Sequence, residues 1–522
     1  MTQHTSPSAS RSHGGDWTES ARWFWGILIA VTIWKLFTAS RLGLIFDECY
    51  YWEWSLHPRA CYFDHPPLTA WLIAGGGALF GHTELAVRFF AVVSGGILSL
   101  SGRILGQDLF GPEAGNRAGI FLTLAPIFAG NALLMTPDTG LIPAWSCAAL
   151  FCLRAIRDRR SLSPWWLASG FAAGIGMLSK YTMVLHFVSL GVVLLLSPGF
   201  RRRILFGGLI SGIIAMLVFL PVLIWNARNN WVSFAHQIHH GFRNEHACLV
   251  NFQNLADYSA FLAVLVSPLL GIFCLMTGVR RFRDREFLFP AAFYWTVVLF
   301  FGFAAAKAHI EANWPMPAFV TGLVMVAGDW KSYSSGWRKA ALILLVVADL
   351  GGMIGLTGLM LPGDTSGFRS FAPEKLIPSW LPGSSALKAQ AAHGYRDFLS
   401  RIDEFRGPAA VASQIESDFR SSGADFLCLP TYQLVGILSF YAPSLEPLLW
   451  LPDLGRVRFP WINDLSWKGK TALVAAWPRM ESVDVLLFDR YSGARQSPSS
   501  QVPGTLILWT GYGYRPEKVK DR

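Results

Sequence analysis

Charge is scarce in this chain. Of 522 residues, 15% are Asp, Glu, Lys or Arg and 52% are hydrophobic, with a mean hydropathy of +0.37. A water-soluble globule of this length needs more charged surface, so that class is set aside. The seven cysteines contain no C-x-x-C pair and no metal-ligand spacing, which removes zinc ribbons and thioredoxin-like redox modules. No internal repeat is evident, which argues against the many transporter folds built from repeats. The C-terminal third carries no dinucleotide or P-loop fingerprint. The first 21 residues are polar and Ser-rich without a cleavage site, so the apolar run from Trp23 reads as a retained span. Acidic residues are outnumbered, giving a net charge of +10. The basic residues cluster between apolar segments, where they suit cytoplasmic loops near anionic lipid, so nucleic acid is not a partner.

What the chain has in quantity is long apolar runs. About eleven membrane-crossing helices are expected, over residues 21–40, 84–109, 119–135, 140–153, 164–179, 181–200, 204–225, 258–279, 287–306, 317–330 and 340–361. The run 68–80 is too short to span. Loops after even-numbered spans carry arginines, such as Arg154, Arg157, Arg159 and Arg160, or Arg201, Arg202 and Arg203. Loops after odd-numbered spans carry acids, histidines and Pro motifs. The positive-inside rule then places the N-terminus in the cytoplasm. It places the first loop (41–83), Asp138, Lys180, the loops of His239 and His309, and the C-terminal region outside.

Residues 362–522 return to soluble composition. Strand-like runs at 409–413, 426–429, 471–476, 483–488 and 505–509 alternate with helical stretches at 386–405 and 433–441. The expected architecture is an α-helical polytopic membrane module, 1–361, followed by a soluble α/β domain, 362–522.

The stretch from Asp47 to Pro67 gathers acids, histidines and aromatics where the first span ends. Ionisable groups at that depth point to function, and Asp47, Glu48 and Asp64 are the candidate catalytic residues. On a helix, Asp47 shares a face with Tyr51 and Trp54. A carboxylate there can take a proton from an acceptor hydroxyl, or simply fix helix geometry. Asp64 reads equally as the N-cap of the helix opened by Pro66-Pro67. His65, extended before proline, can meet an anionic leaving group or a metal, or merely face solvent. Asp138 is either a substrate contact or the N-cap of the fourth span. Lys180 is a point charge able to neutralise phosphate, or a snorkelling residue. Arg243, Lys307 and His309 add donors on the same side, together supplying charge where a leaving phosphate develops it. A divalent metal is the one cofactor the residues leave open, with His239, His240 and Glu311 as candidate ligands, although their spacing matches no strong motif. Cys49 and Cys61 share the first loop and can pair in an oxidising compartment.

Three strings, Asp47-Glu48-Cys49-Tyr50-Tyr51-Trp52, Tyr62-Phe63-Asp64-His65-Pro66-Pro67-Leu68 and Glu84-Leu85-Ala86-Val87-Arg88, resemble bacterial membrane glycosyltransferases of the GT-C fold. The similarity is to the dolichyl-phosphate-mannose-protein mannosyltransferase-like branch, related to lipid A aminoarabinose and galacturonic acid transferases. Thr136-Pro137-Asp138, Ser179-Lys180-Tyr181, Trp225-Asn226 with Trp231, and His309-Ile310-Glu311-Ala312-Asn313-Trp314-Pro315 fall where that family has further motifs. The ordered set covers residues 1–330 well and the C-terminal region loosely. The resemblance implies a polyprenyl-phosphate-linked sugar donor. It further implies inverting transfer to a lipid, lipopolysaccharide or other envelope acceptor at the periplasmic face of the bacterial inner membrane. Asp47 falls on the family's first-loop aspartate, while Asp64 and His65 match a second acidic position and its neighbour. That neighbour is typically lysine in the aminoarabinose branch. With a hydroxyl acceptor Asp47 is the base; with an anionic lipid phosphate it instead orients substrate or a metal. Protein O-mannosylation is the second reading within the class. A transporter or flippase of lipid-linked sugars is the reading from another class, but it calls for ionisable residues at mid-membrane. A non-catalytic scaffold leaves the clustered acids and cations unexplained.

Overall fold

The computed structural model describes residues 16–160, 163–242, 251–264, 266–308, 310–360, 407–451, 458–462, 464–477, 487–492, 495–497 and 506–516, with residues 375 and 388. In chain order the helices begin with α1 (Asp16–Ala39), α2 (Phe46–Leu56), α3 (Leu68–Phe80), α4 (Glu84–Phe110), α5 (Pro112–Leu124) and α6 (Pro126–Asn131). They continue with α7 (Pro137–Arg157), α8 (Trp165–Met177), α9 (Leu185–Leu196), α10 (Arg201–Arg228) and α11 (Val232–Phe242). Then come α12 (Phe252–Val264), α13 (Pro268–Arg280), α14 (Arg285–Ala305), α15 (Met316–Gly328) and α16 (Ser335–Met360). Helices α17 (407–422) and α18 (Tyr432–Tyr441) accompany the C-terminal strands. The chain divides into two units: residues 1–37, 64–69 and 88–353 form the first, and residues 38–63, 70–87 and 354–522 the second.

Unit one is helical. Five described helices are long and apolar enough to cross a membrane by length and composition, in 18–39, 84–110, 137–157, 198–228 and 285–305. By that measure the expected count of eleven is not reproduced, because several expected spans are interrupted. The third breaks between α5 and α6, where Ala125 is extended before Pro126. Proline's ring disfavours a helical residue ahead of it and removes an N–H. The eighth breaks into α12 and α13 at Ser267, whose φ of 98° lies in the left-handed region. The sixth starts as a 3₁₀ turn (Tyr181–Val184) before α9. Residues 232–242, expected as polar loop, form α11. Among the five long helices α7 is the most enclosed, with 83% of its apolar window buried against 28% for α10. The central helix therefore presents its N-terminal turn to protein rather than to solvent. Arg280 and Arg281, in a loop expected to be basic, converge on the buried carboxylate of Asp329, with Arg281 Nη2 at 2.8 Å.

Unit two holds α2, most of α3, α17, α18 and a mixed six-stranded sheet in the order β2-β1-β3-β6-β4, with β5 paired to β6. Its strands are β1 (Phe426–Cys428), β2 (Leu449–Trp450), β3 (Ala472–Ala476), β4 (Phe488–Tyr491), β5 (Arg495–Ser497) and β6 (Leu506–Tyr514). β1 runs parallel to β2 and β3, whereas β6 is antiparallel to β3, β4 and β5. Every residue of β1 and β3 is buried, as expected for central strands covered on both faces. Phe426, Trp450, Trp467, Val474 and Tyr514 form the core of this sheet. α18 lies on α2 at Gly436, where a Cβ would come within 2.6 Å of the Tyr50 amide nitrogen; only glycine permits that approach.

Three of the expected strands correspond to β1, β3 and β6. The expected strand at 409–413 is instead the start of α17. Beyond the first turn its buried residues are Val411, Ala412, Ile415 and Phe419, a helical rather than alternating spacing, and Pro408 suits the first turn. Of the run 483–488, Phe488 begins β4, whereas residues 483–486 and the expected helix at 386–405 lie outside the described residues, apart from isolated residue 388.

Candidate active site

In unit one the site is built on the start of α7. Thr136 caps the helix, its N–H donating to Thr139 Oγ1 at 3.1 Å, and Pro137 occupies the first helical position. Asp138 then sits in the first turn, where the helix dipole favours negative charge. The Ser179 hydroxyl donates to Pro137 O at 2.6 Å. A Cβ at Gly140 would stand 2.5 Å from that hydroxyl, so the absent side chain lets the 178–180 segment lie directly on α7. The consequence is a buried ion pair, with Lys180 Nζ donating to Asp138 Oδ1 at 2.9 Å and Oδ2 at 3.0 Å. Asn313 Nδ2 donates to the same Oδ2 at 2.5 Å.

Beside this pair lies the 64–65 segment. Asp64 Oδ1 meets His236 Nε2 at 3.1 Å, and Gln237 Nε2 donates to the Asp64 carbonyl at 2.6 Å. Both partners come from α11. Burial, and then the Lys180 ammonium, push the His65 pKa down to about 4 against the opposing pull of Asp64 and Asp138. His65 is therefore neutral at physiological pH, and positive charge beside Asp138 comes from Lys180. A histidine depressed in the folded state binds its proton later than in the unfolded chain. Its stabilising effect is full above pH 6.5 and is lost as pH falls towards 4. Removing that shift of about 2.5 units is worth at most about 3 kcal/mol. His65→Asn is expected to flatten the acid side of the stability-versus-pH curve between pH 6.5 and 4. Equal slopes for the two proteins in thermal melts across that range would refute the assignment.

In unit two, α2 carries the first-loop acids. Glu48 is fully buried and its Oε2 accepts the Ile45 N–H at 3.2 Å, so this carboxylate closes the first helical turn. Asp47, one residue earlier, is exposed. The aromatic face behind it is rigid. Tyr51 and Trp54 rings lie 5.0 Å apart, and Trp54 stacks on Tyr62 at 4.4 Å. The Tyr62 hydroxyl donates to Trp54 O at 2.9 Å, and burial pushes that phenol up to about 12. Arg458 covers the rings of Tyr432 and Phe63. At the far end of α2, Glu53 is 1% exposed and Trp461 Nε1 donates to its Oε1 at 2.8 Å. Burial lifts its carboxyl to about 7, the Glu446 charge adding to the effect and the polar groups of Ser439 and Trp461 opposing it.

The expected residues thus separate into two groups. Unit one brings together Asp138 and Lys180, places Asp64 on His236, and sets His65 within the electrostatic reach of all four. Unit two holds Asp47 and Glu48. Lys307 follows the end of α14 and is partly exposed. Arg243 and His309 lie outside the described residues, as does the side chain of His240. Of the expected metal ligands, His239 and Glu311 are exposed. Among the described residues, the carboxylate and imidazole atoms that converge tightly enough for a metal are those of Glu53, His57 and Glu446, a set the sequence reading did not select. It also passed over Gln237 and gave Asn313 and His236 no fixed partner. The i, i+4 spacing of Glu53 and His57 was the one visible signal for the metal-like group.

Residues 64–225 match the family model described as dolichyl-phosphate-mannose-protein mannosyltransferase. The lipid A galacturonosyltransferase RgtD of Rhizobium johnstonii is 23% identical over 401 residues, spanning 75% of this chain and 78% of that protein. The undecaprenyl phosphate-alpha-4-amino-4-deoxy-L-arabinose arabinosyl transferase 1 of Sodalis glossinidius is 30% identical over 274 residues. That match spans 48% of this chain and 46% of the relative, about half of each. ArnT from Cupriavidus metallidurans has the same fold. Its apo structure superposes with a TM-score of 0.63 and the one bound to undecaprenyl phosphate with 0.64, both at 18% identity over 94% of this chain and 98% of ArnT. The chain is a multi-pass membrane protein of the GT-C fold. Within that fold it is a glycosyltransferase related to the lipid A transferases.

Proposed function

We propose that the protein transfers a sugar from a polyprenyl-phosphate donor to a lipid A or related envelope lipid, with inversion at the anomeric carbon. Support comes from the activities of the relatives and from the Lys180–Asp138–Asn313 cluster. The acceptor oxygen attacks the anomeric carbon as the bond to the polyprenyl phosphate oxygen breaks. Negative charge grows on the departing phosphate. Lys180 meets that charge, using the third proton of an ammonium whose other two point at Asp138. Asp138 and Asn313 hold the lysine in place. Asp47 takes the proton when the acceptor is a hydroxyl and orients the acceptor when it is already an anionic phosphate. Asp64, held by His236, positions His65 as a neutral hydrogen-bonding group. Glu48 acts on Asp47 by closing the first turn of α2. Arg243, Lys307 and His309 complete the phosphate site. Residues 1–361 form the membrane module and residues 362–522 a periplasmic domain, in the bacterial inner membrane with the N-terminus cytoplasmic. The family model's description favours a mannosyl donor with a protein acceptor as the second reading.

Purified protein incubated with polyprenyl-phosphate sugars and either lipid A or an acceptor peptide distinguishes the two. The expected product is lipid A heavier by one sugar residue, read by mass spectrometry. Modification of the peptide alone would replace the first reading with the second, and an absence of product from every donor would remove both.

A further inference from the structure

The last turn of α2 and the 3₁₀ segment after α18 (Pro443–Leu448) hold a group of side chains that the transfer reaction does not use. Glu53 and His57 are four residues apart and share one side of α2, His57 being the residue that ends it. Glu446 reaches them from the 3₁₀ segment. His57 Nε2 lies 3.7 Å from Glu53 Oε1 and 3.4 Å from Glu446 Oε1. One donor atom from each of the three residues falls within 4.8 Å of the others. Glu53 is nearly fully buried, and no hydrogen bond of good geometry reaches its Oε2. A buried carboxyl in that condition is satisfied either by keeping its proton or by a cation set beside it.

We propose that Glu53, His57 and Glu446 bind a divalent transition-metal ion, with Zn²⁺ the best fit. Zinc bonds to nitrogen and carboxylate oxygen at 2.0–2.2 Å, so neighbouring donors of a tetrahedron stand about 3.3–3.6 Å apart. The two short edges of this triangle are already close to that spacing. One imidazole and two carboxylates suit Zn²⁺ or Mn²⁺ better than Mg²⁺, which keeps several waters and asks for octahedral oxygen. A water takes the fourth corner. The supporting groups are also present: the Trp461 indole N–H fixes Glu53 Oε1, and its ring stacks on the His57 imidazole at 4.5 Å. Such outer partners orient ligands and raise affinity. The ion would clamp the C-terminal end of α2 to the segment that follows α18. This inference does not depend on the donor or acceptor proposed above.

The test uses the full-length protein, tag-free, in detergent, stripped with chelator and then titrated with ZnCl₂. One zinc per chain is expected by elemental analysis, with a raised unfolding temperature. Co²⁺ in its place is expected to show the intense visible bands of tetrahedral coordination. His57 and Glu446 are about one-third exposed, so His57→Gln and Glu446→Gln are expected to fold and to weaken zinc at least tenfold each. His236→Gln, which removes the His–Asp64 pair of unit one, is expected to leave the affinity unchanged. Zinc lost in His236→Gln but retained by the other two variants would overturn the proposal, as would a wild-type protein that takes up no zinc.

Discussion

Asp47→Asn is expected to lower the maximal rate of sugar transfer by about 10³-fold, the range lost with a positioned general base, while the protein stays folded. The stability cost is small because Asp47 is exposed and the helix-closing bond belongs to Glu48. Removing one charge from a first helical turn costs about 0.3–1 kcal/mol. Kinetics separate the two roles. If Asp47 takes a proton from a hydroxyl, kcat falls and KM for the acceptor is little changed; if it orients an anionic acceptor, KM rises with it. Glu48→Gln is the companion variant. It weakens the capping bond and is expected to cost about 1 kcal/mol with a far smaller kinetic effect. Unchanged transfer in Asp47→Asn would remove this residue from the chemistry.

The second large effect concerns the buried pair in unit one. Lys180→Met leaves the Asp138 carboxylate buried with the Asn313 amide still donating to it, and Asp138→Asn leaves an ammonium without its counter-ion. Either single change is expected to cost about 3–5 kcal/mol, the usual penalty for stranding one half of a buried ion pair. The double variant removes both charges, and because such pairs are often replaceable by neutral groups, most of the lost stability should return. Transfer should not return. If Lys180 stabilises the departing phosphate, the double variant stays at least a hundredfold below wild type, since that charge acts as phosphate develops it. Recovery of both melting temperature and transfer in the double variant would reduce the pair to a structural role.

The local signals in the chain decided more of the molecule than its low charge content suggests. Helix α4 was expected at 84–109 and spans Glu84–Phe110, and α3 matches its apolar run of 68–80. Apolar continuity and Pro or Gly boundaries act over a few residues, so they are readable in order. The motif residues Asp47, Asp64, Asp138 and Lys180 were likewise visible, since each sits at the end of an apolar run. Tertiary structure alone decided their partners. Lys180 meets Asp138 across 42 positions, Asn313 meets it across 175, and Trp461 meets Glu53 across 408. No periodicity encodes contacts of that separation. The same holds for His65, a motif histidine whose neutral state follows from burial and a neighbouring ammonium. It holds for α17 as well, where a five-residue run suited a strand until packing selected the helical face of Val411, Ile415 and Phe419. Chain order specifies which segments are helical and where charge can collect; the free energy of burying those charges together depends on neighbours brought in from distant parts of the chain, and only the folded arrangement determines it.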